Sequence, residues 1–253
     1  MSDYNKWNTA ARGGYAGQTA VVDAGLRAYM LRVYNYMAAA VALTGVAAYA
    51  TFNAAVVTDA SGKITALTSF GQALYSGPAM IVLLLGTLGL VFFISFRINR
   101  LQYTTAMALF MLYAALLGVT LSSIFLTYTG ASITRVFFIS AASFGALSLY
   151  GYTTQRDLSA MGSFLIMGLF GIIIASLVNI FLKSSGLDWM ISVLGVGIFA
   201  GLTAYDTQRI KEMYDSMDDD GTMGRKAIMG ALSLYLDFIN LFMMLLRLVG
   251  DRR

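Results

Sequence analysis

Residues 234–250 read LYLDFINLFMMLLRLVG, a run long and apolar enough to cross a bilayer except that it carries one carboxylate, Asp237. The nearest flanking charges are Lys226 and Arg247. On a helix rising about 1.5 Å per residue they lie roughly 16 Å to either side, which puts Asp237 near the bilayer midplane. An aspartate at that depth costs roughly 2.5–3.5 kcal/mol on insertion scales. Its helical neighbours at i−4, i+3 and i+7 are Ser233, Asn240 and Met244, with Gly230 at i−7, while Leu, Ile and Phe cover the rest. A narrow polar stripe on an apolar helix is predicted to face into a bundle. Carboxylates placed this way mark ion pathways or proton relays more often than they act as structural pins.

The rest of the chain agrees with a membrane reading. Of its 253 residues 58% are hydrophobic and 12% charged, with a mean hydropathy of +0.71, far from the roughly one-quarter charged composition of soluble domains. Seven apolar runs can be read as spans, at about 33–52, 79–96, 105–127, 133–152, 162–182, 189–208 and 228–249, each near the roughly 20 residues a spanning helix needs. The expectation is an all-α polytopic membrane protein with seven transmembrane helices in a single domain over 29–253. Residues 1–28, polar and Gly-rich at the start and without a signal-peptide core, are expected to be a mobile cytoplasmic tail.

Orientation follows from the 17 Lys and Arg residues. Alternate connections gather Lys6, Arg12, Arg27, Arg32, Arg97, Arg100, Arg156, Arg209, Lys211, Arg225 and Lys226 on one side and Lys63, Arg135, Lys183, Arg247, Arg252 and Arg253 on the other. The positive-inside rule then makes the amino terminus cytoplasmic. The C-terminal trio sits on the disfavoured side, which leaves open a last helix that dips in and returns. Gly86 with Gly89 and Gly197 with Gly201 have the spacing of close helix–helix contacts.

Cysteine and histidine are both absent, which removes thiol nucleophiles, thiolate metal sites, the usual general base and the usual zinc ligand. The basic excess falls between apolar runs, so nucleic acid is not an expected partner. Tyr205-Asp206 matches the first motif of intramembrane aspartyl proteases, but Leu-Tyr-Leu-Asp at 234–237 replaces the second, and no Pro-Ala-Leu follows the single proline, Pro78. The chain is not expected to be an enzyme or to carry a cofactor. The loop DSMDDDG (215–221) places Asp218, Asp220 and Gly221 at positions 3, 5 and 6 of a calcium loop, yet Ser216 and Ala227 would occupy positions 1 and 12, so the ligand set fails and the stretch reads as a solvated loop.

A second carboxylate matters. Asp206, in GLTAYDTQRIKEMY, lies toward the end of the sixth span and about 10 Å shallower than Asp237 along straight helices. If tilt, or a seventh helix that starts outside the membrane, closes that gap, the two carboxyls can share one proton and form a pH sensor and a cation site at once. Arg97 and Arg100, in FFISFRINR at the end of the second span, serve as positive-inside anchors or reach inward to hold a carboxylate.

GLTAYDTQ (201–208), LYLDFINLF (234–242), LYGYTTQRDLS (149–159) and LRVYNYM (31–37) resemble the Bax inhibitor-1 family, the transmembrane Bax-inhibitor-motif proteins, and within it the bacterial inner-membrane YbhL- and YccA-like branch. The resemblance runs from about Leu26 to Arg253. It implies six helices around a central seventh, a pH-sensitive calcium leak, a hydrogen-bonded aspartate pair at Asp206 and Asp237, and an arginine latch from the end of the second helix that stays open between Arg97 and Arg100. The second span, GPAMIVLLLGTLGLVFFISF, has no acidic residue, so a pore carboxylate assigned to that helix in some members has no counterpart here. The expected function is a pH-sensitive calcium leak of the bacterial inner membrane. Asp206 and Asp237 would be its sensor and weak, transient calcium ligands, Ser233 and Asn240 a supporting polar face, and calcium, protons and lipid its partners. The competing expectation is a non-conducting regulator that binds a membrane-anchored protease or another membrane protein.

Overall fold

The computed structural model describes residues 4–59 and 63–253, with side chains from Ala24 onward. Helix α1 (Tyr4–Ala55) is followed by strands β1 (Val56–Thr58) and β2 (Ile64–Leu67), α2 (Ser69–Leu74), α3 (Gly77–Arg97) with a 3₁₀ turn at Ile98–Arg100, α4 (Tyr103–Leu121), α5 (Ile124–Thr127), α6 (Gly130–Thr153), α7 (Ser159–Leu182), α8 (Ser185–Glu212) and α9 (Asp220–Val249). Seven stretches are long and apolar enough to span: Ala24–Ala55, Gly77–Arg100, Tyr103–Thr127, Gly130–Thr153, Ser159–Leu182, Ser185–Glu212 and Asp220–Val249. This is an all-α multi-pass membrane protein. The tail expected over 1–28 falls largely on residues whose side chains are not described.

The link between the first two spans carries structure of its own. Val56 pairs with Leu67 and Val57 with Ala66 in an antiparallel hairpin, and Thr68 caps α2 by accepting from Gly71 N–H. Short runs of β-branched residues, Val56-Val57-Thr58 and Ile64-Thr65, on either side of a polar turn were the available signal. At the same end of the bundle α9 runs unbroken to Val249, and the chain after it is fastened rather than returned: Thr129 N–H donates to Asp251 C=O, Arg253 N–H donates to Thr127 C=O, and Arg135 pairs with Asp251 at 2.9 Å. The last helix is therefore one unbroken element, long and apolar enough to cross fully.

The seventh span is central. Of its most apolar window 61% is buried, against 11% for the windows of α3 and α7. It packs directly on α8, α1, α6 and α4, while α3 leans mainly on α4 and α7 mainly on α8. Aromatic side chains fix its rotation: Tyr235 meets the edges of Phe110 and Tyr113 from α4, and Phe238 meets Phe137 and Phe144 from α6. Thr44 of α1 bonds the Tyr235 hydroxyl at 2.7 Å and donates toward Ala114 C=O of α4, tying three helices at one buried point. With those two faces committed, Asp237 is turned toward α8.

The glycines that permit close approach are mostly not the predicted ones. Gly86, Gly89 and Gly197 face open space, so they serve no helix contact among the described residues; Gly201 does, with Leu165 of α7 seated on it. Contacts against a neighbour's backbone are made by Gly118, where an added Cβ would lie 2.5 Å from Thr44 O, and by Gly151 against Ala204. Spacing alone does not reveal which face of a helix a neighbour occupies, so the motif could not separate the two groups.

Candidate functional site

The depth mismatch between the two aspartates is resolved by axial stagger. Asp206 stands two turns from the end of α8, about 9 Å, whereas Asp237 stands about 25 Å from the start of α9. The link 213–219 can reach roughly 23 Å when extended, so α9 begins well beyond the point where α8 stops. As a helix of 30 residues, α9 is about 45 Å long and overhangs a hydrocarbon core of about 30 Å. Asp219 caps its projecting end, accepting from the N–H groups of Gly221 and Thr222, and Asp218 pairs with Lys226 at 2.6 Å. The acidic loop is therefore spent on holding the start of α9. The hydrogen bond from the Thr222 side chain, followed by the backbone bonds, holds the Asp219 carboxyl below its ordinary range.

With that stagger the Asp206 and Asp237 carboxyls lie within hydrogen-bond reach of each other. Asp237 is buried, 5% exposed, and its Oδ2 receives no hydrogen bond from any group other than the Asp206 carboxyl; Asp206 is half-buried. A carboxyl–carboxyl hydrogen bond requires a proton on one of the oxygens. The pair borders a cavity of about 560 Å³ between α7, α8 and α9, which is also lined by Arg209, Ser233 and Asn240 and otherwise mainly by Ile, Leu, Phe and Met. The Asn240 side-chain amide donates to Leu236 C=O, leaving its oxygen available to a cation.

The structure thus brings together Asp206, Asp237, Ser233 and Asn240. Arg97 and Arg100 are both exposed, and neither makes an ion pair with an aspartate among the described residues. The guanidinium whose charge acts on Asp206 is Arg209, three residues along the same helix and also exposed. Its i,i+3 spacing from Asp206 was the signal in the sequence. Among the described residues no three acidic side chains gather into a metal cluster. A calcium ion, which prefers six to eight oxygens, would find two carboxyls, one amide oxygen and the hydroxyls of Ser176 and Ser233 here.

The floor of the site is braced at its outer end. Gln208 donates to Arg156 C=O and accepts from Leu158 N–H, both at 2.8 Å, and Lys211 donates to Tyr152 C=O. The 154–158 loop is thereby fastened to α8. Tyr34, Ser148 and Thr207 form a hydroxyl chain across α1, α6 and α8. Several of these residues fall in the quoted motifs or in the count of basic residues, but their bracing role was not readable from sequence, because each bond joins distant segments.

A seven-helix membrane bundle whose central helix presents a buried carboxyl to a second one on its neighbour is the class that fold and site define. The chain belongs to the family described as inhibitor of apoptosis-promoting Bax1, whose model matches residues 26–253. It is 46% identical over 233 residues to the inner membrane protein YbhL of Escherichia coli, covering 91% of this chain and 94% of that one. An uncharacterized protein of Rickettsia prowazekii is 48% identical over 253 residues, the full length of both chains. Another, from Borreliella burgdorferi, is 49% identical over 226 residues, covering 89% of this chain and 92% of its own.

Proposed function

We propose that this protein is not an enzyme but a pH-sensitive cation leak of the inner membrane, with calcium as the permeant ion and the amino terminus in the cytoplasm. The carrying observation is the meeting of the Asp206 and Asp237 carboxyls beside a cavity, with no other donor on the buried Oδ2 of Asp237. With a proton between them, the two side chains join α8 to α9. Without it, two like charges about 4 Å apart repel by about 4 kcal/mol at an effective dielectric of 20. That is enough to shift a closed–open equilibrium nearly a thousandfold. The same charges draw water and cations into the gap between the helices, and the thin oxygen set favours brief calcium binding, as permeation requires. The inner-membrane placement is supported by the likeness to YbhL, and the orientation by the excess of Lys and Arg on the side of the amino terminus.

The test is calcium flux into dye-loaded liposomes holding the purified protein from pH 5.5 to 8.5, with Asp206→Asn and Asp237→Asn variants of matched insertion. The expected result is a wild-type leak that rises with pH through a midpoint that both substitutions abolish or shift. No flux above empty liposomes from any variant would remove the leak and leave the non-conducting regulator of a membrane-anchored protease as the reading to pursue.

A further inference from the structure

The walls of the cavity are unlike those of an aqueous ion path. Ile173 and Leu177 of α7 line it and are nevertheless 46% and 56% exposed. In a spanning helix that exposed surface is lipid-facing, so the cavity opens sideways into the bilayer. Leu202, Met244 and other apolar side chains continue the wall inward to the carboxyl pair. A volume of about 560 Å³ falls within the range of pockets that enclose drug-sized organic molecules. At the inner end, the two carboxyls border the cavity, and the buried Oδ2 of Asp237 receives no hydrogen bond from any group other than the Asp206 carboxyl, a thin set for polar atoms in a dry site.

We propose that this cavity binds a lipophilic amine: a protonated ammonium group on a compact hydrocarbon body, admitted laterally from the bilayer. The ammonium N–H groups donate to the carboxyl oxygens of the pair that border the cavity, and its positive charge takes the place of the proton shared by the pair. Charge then balances, since two carboxylates face one ammonium and the Arg209 guanidinium. The hydrocarbon body covers Ile173, Leu177 and Leu202, surfaces that a hydrated metal ion leaves uncompensated. The inference rests on the pair being a cation-receptive centre, and it names the organic class of cation that the apolar walls select.

The probe is tritiated 1-aminoadamantane, with 1-adamantanol as its neutral counterpart of nearly the same shape. Binding is measured at pH 7.5 to the protein in phosphatidylcholine nanodiscs, with empty nanodiscs correcting for partition into lipid. The expected result is saturable binding that unlabelled amine displaces at least tenfold more effectively than the alcohol. It is reduced at least tenfold in Asp237→Asn and in Ile173→Trp, which fills the cavity from its lipid side on a helix that carries neither carboxyl. Both variants are compared at thermal midpoints close to the wild type. Binding no greater than to empty nanodiscs, equal displacement by the alcohol, or full retention in Asp237→Asn overturns the proposal. Because binding is read without flux, a protein that binds amine but conducts nothing loses the leak and keeps this site, whereas one that conducts but binds no amine keeps the leak and loses this site.

Discussion

Replacing Arg209 by Gln tests how charge around the carboxyl pair sets the leak. Arg209 and Asp206 are three residues apart on α8, which puts their Cβ atoms about 5–6 Å apart, and the guanidinium favours the charged carboxylate. Because Arg209 is exposed, water screens the interaction. At an effective dielectric of about 40–80 and about 6 Å, it is worth about 0.7–1.4 kcal/mol, or roughly 0.5–1 pH unit. Removing Arg209 makes the shared proton harder to lose, so the midpoint of calcium flux in the liposome assay moves to higher pH by that amount. Arg97→Gln and Arg100→Gln leave it within about 0.2 unit, since both are exposed and neither is among the charges that act on Asp206 or Asp237. The sign is decisive. An arginine that latches the charged pair shut would, once removed, open the path at lower pH. A downward shift in Arg209→Gln, or an upward shift of comparable size in Arg97→Gln, would refute the assignment of Arg209 as the tuning charge.

Three further outcomes follow from the packing. Thr44→Val strands the buried Tyr235 hydroxyl and is expected to cost about 1–3 kcal/mol in detergent unfolding, whereas Tyr235→Phe leaves Thr44 bonded to Ala40 and Ala114 carbonyls and costs about 1 kcal/mol; the reverse order would count against this three-helix tie. Gly151→Ala drives a Cβ into the Ala204 backbone and should cost about 1–3 kcal/mol, while Gly86→Ala, facing open space, should stay within about 0.5 kcal/mol; equal thermal midpoints for the two would contradict the α6–α8 contact. Asp219→Ala should lower the thermal midpoint more than Asp219→Asn, which keeps a capping oxygen. Because the folded carboxyl titrates below its ordinary value of 3.8, the ionised cap's contribution is fully present above that value and fades as pH falls through the folded value. A wild-type advantage over Asp219→Ala that grows as pH falls toward 3 would contradict that sign.

The sequence by itself determined the material of this protein. Local hydrophobicity over some twenty residues at a time establishes seven spans, and the distance of Asp237 from Lys226 and Arg247 establishes its depth, because both depend only on helical rise along one segment. The stripe of Ser233, Asp237 and Asn240 was likewise readable, since i−4 and i+3 neighbours share a face whatever the helix packs against. The partner of Asp237 was not determined in this way. Straight-helix arithmetic leaves Asp206 about 10 Å too shallow, and contact depends on how far α9 starts beyond the end of α8 and how it is rotated. The capped, projecting start of α9 sets the first, and Tyr235 and Phe238 seated on α4 and α6 set the second. The same division explains why Arg97 and Arg100 make no ion pair with Asp206 or Asp237, whereas Arg209, three residues from Asp206 on one helix, was readable, and why Gly151 makes a contact that Gly86 does not. Stagger and rotation are fixed by side chains meeting across helices far apart in sequence, a matter that only the tertiary structure decided.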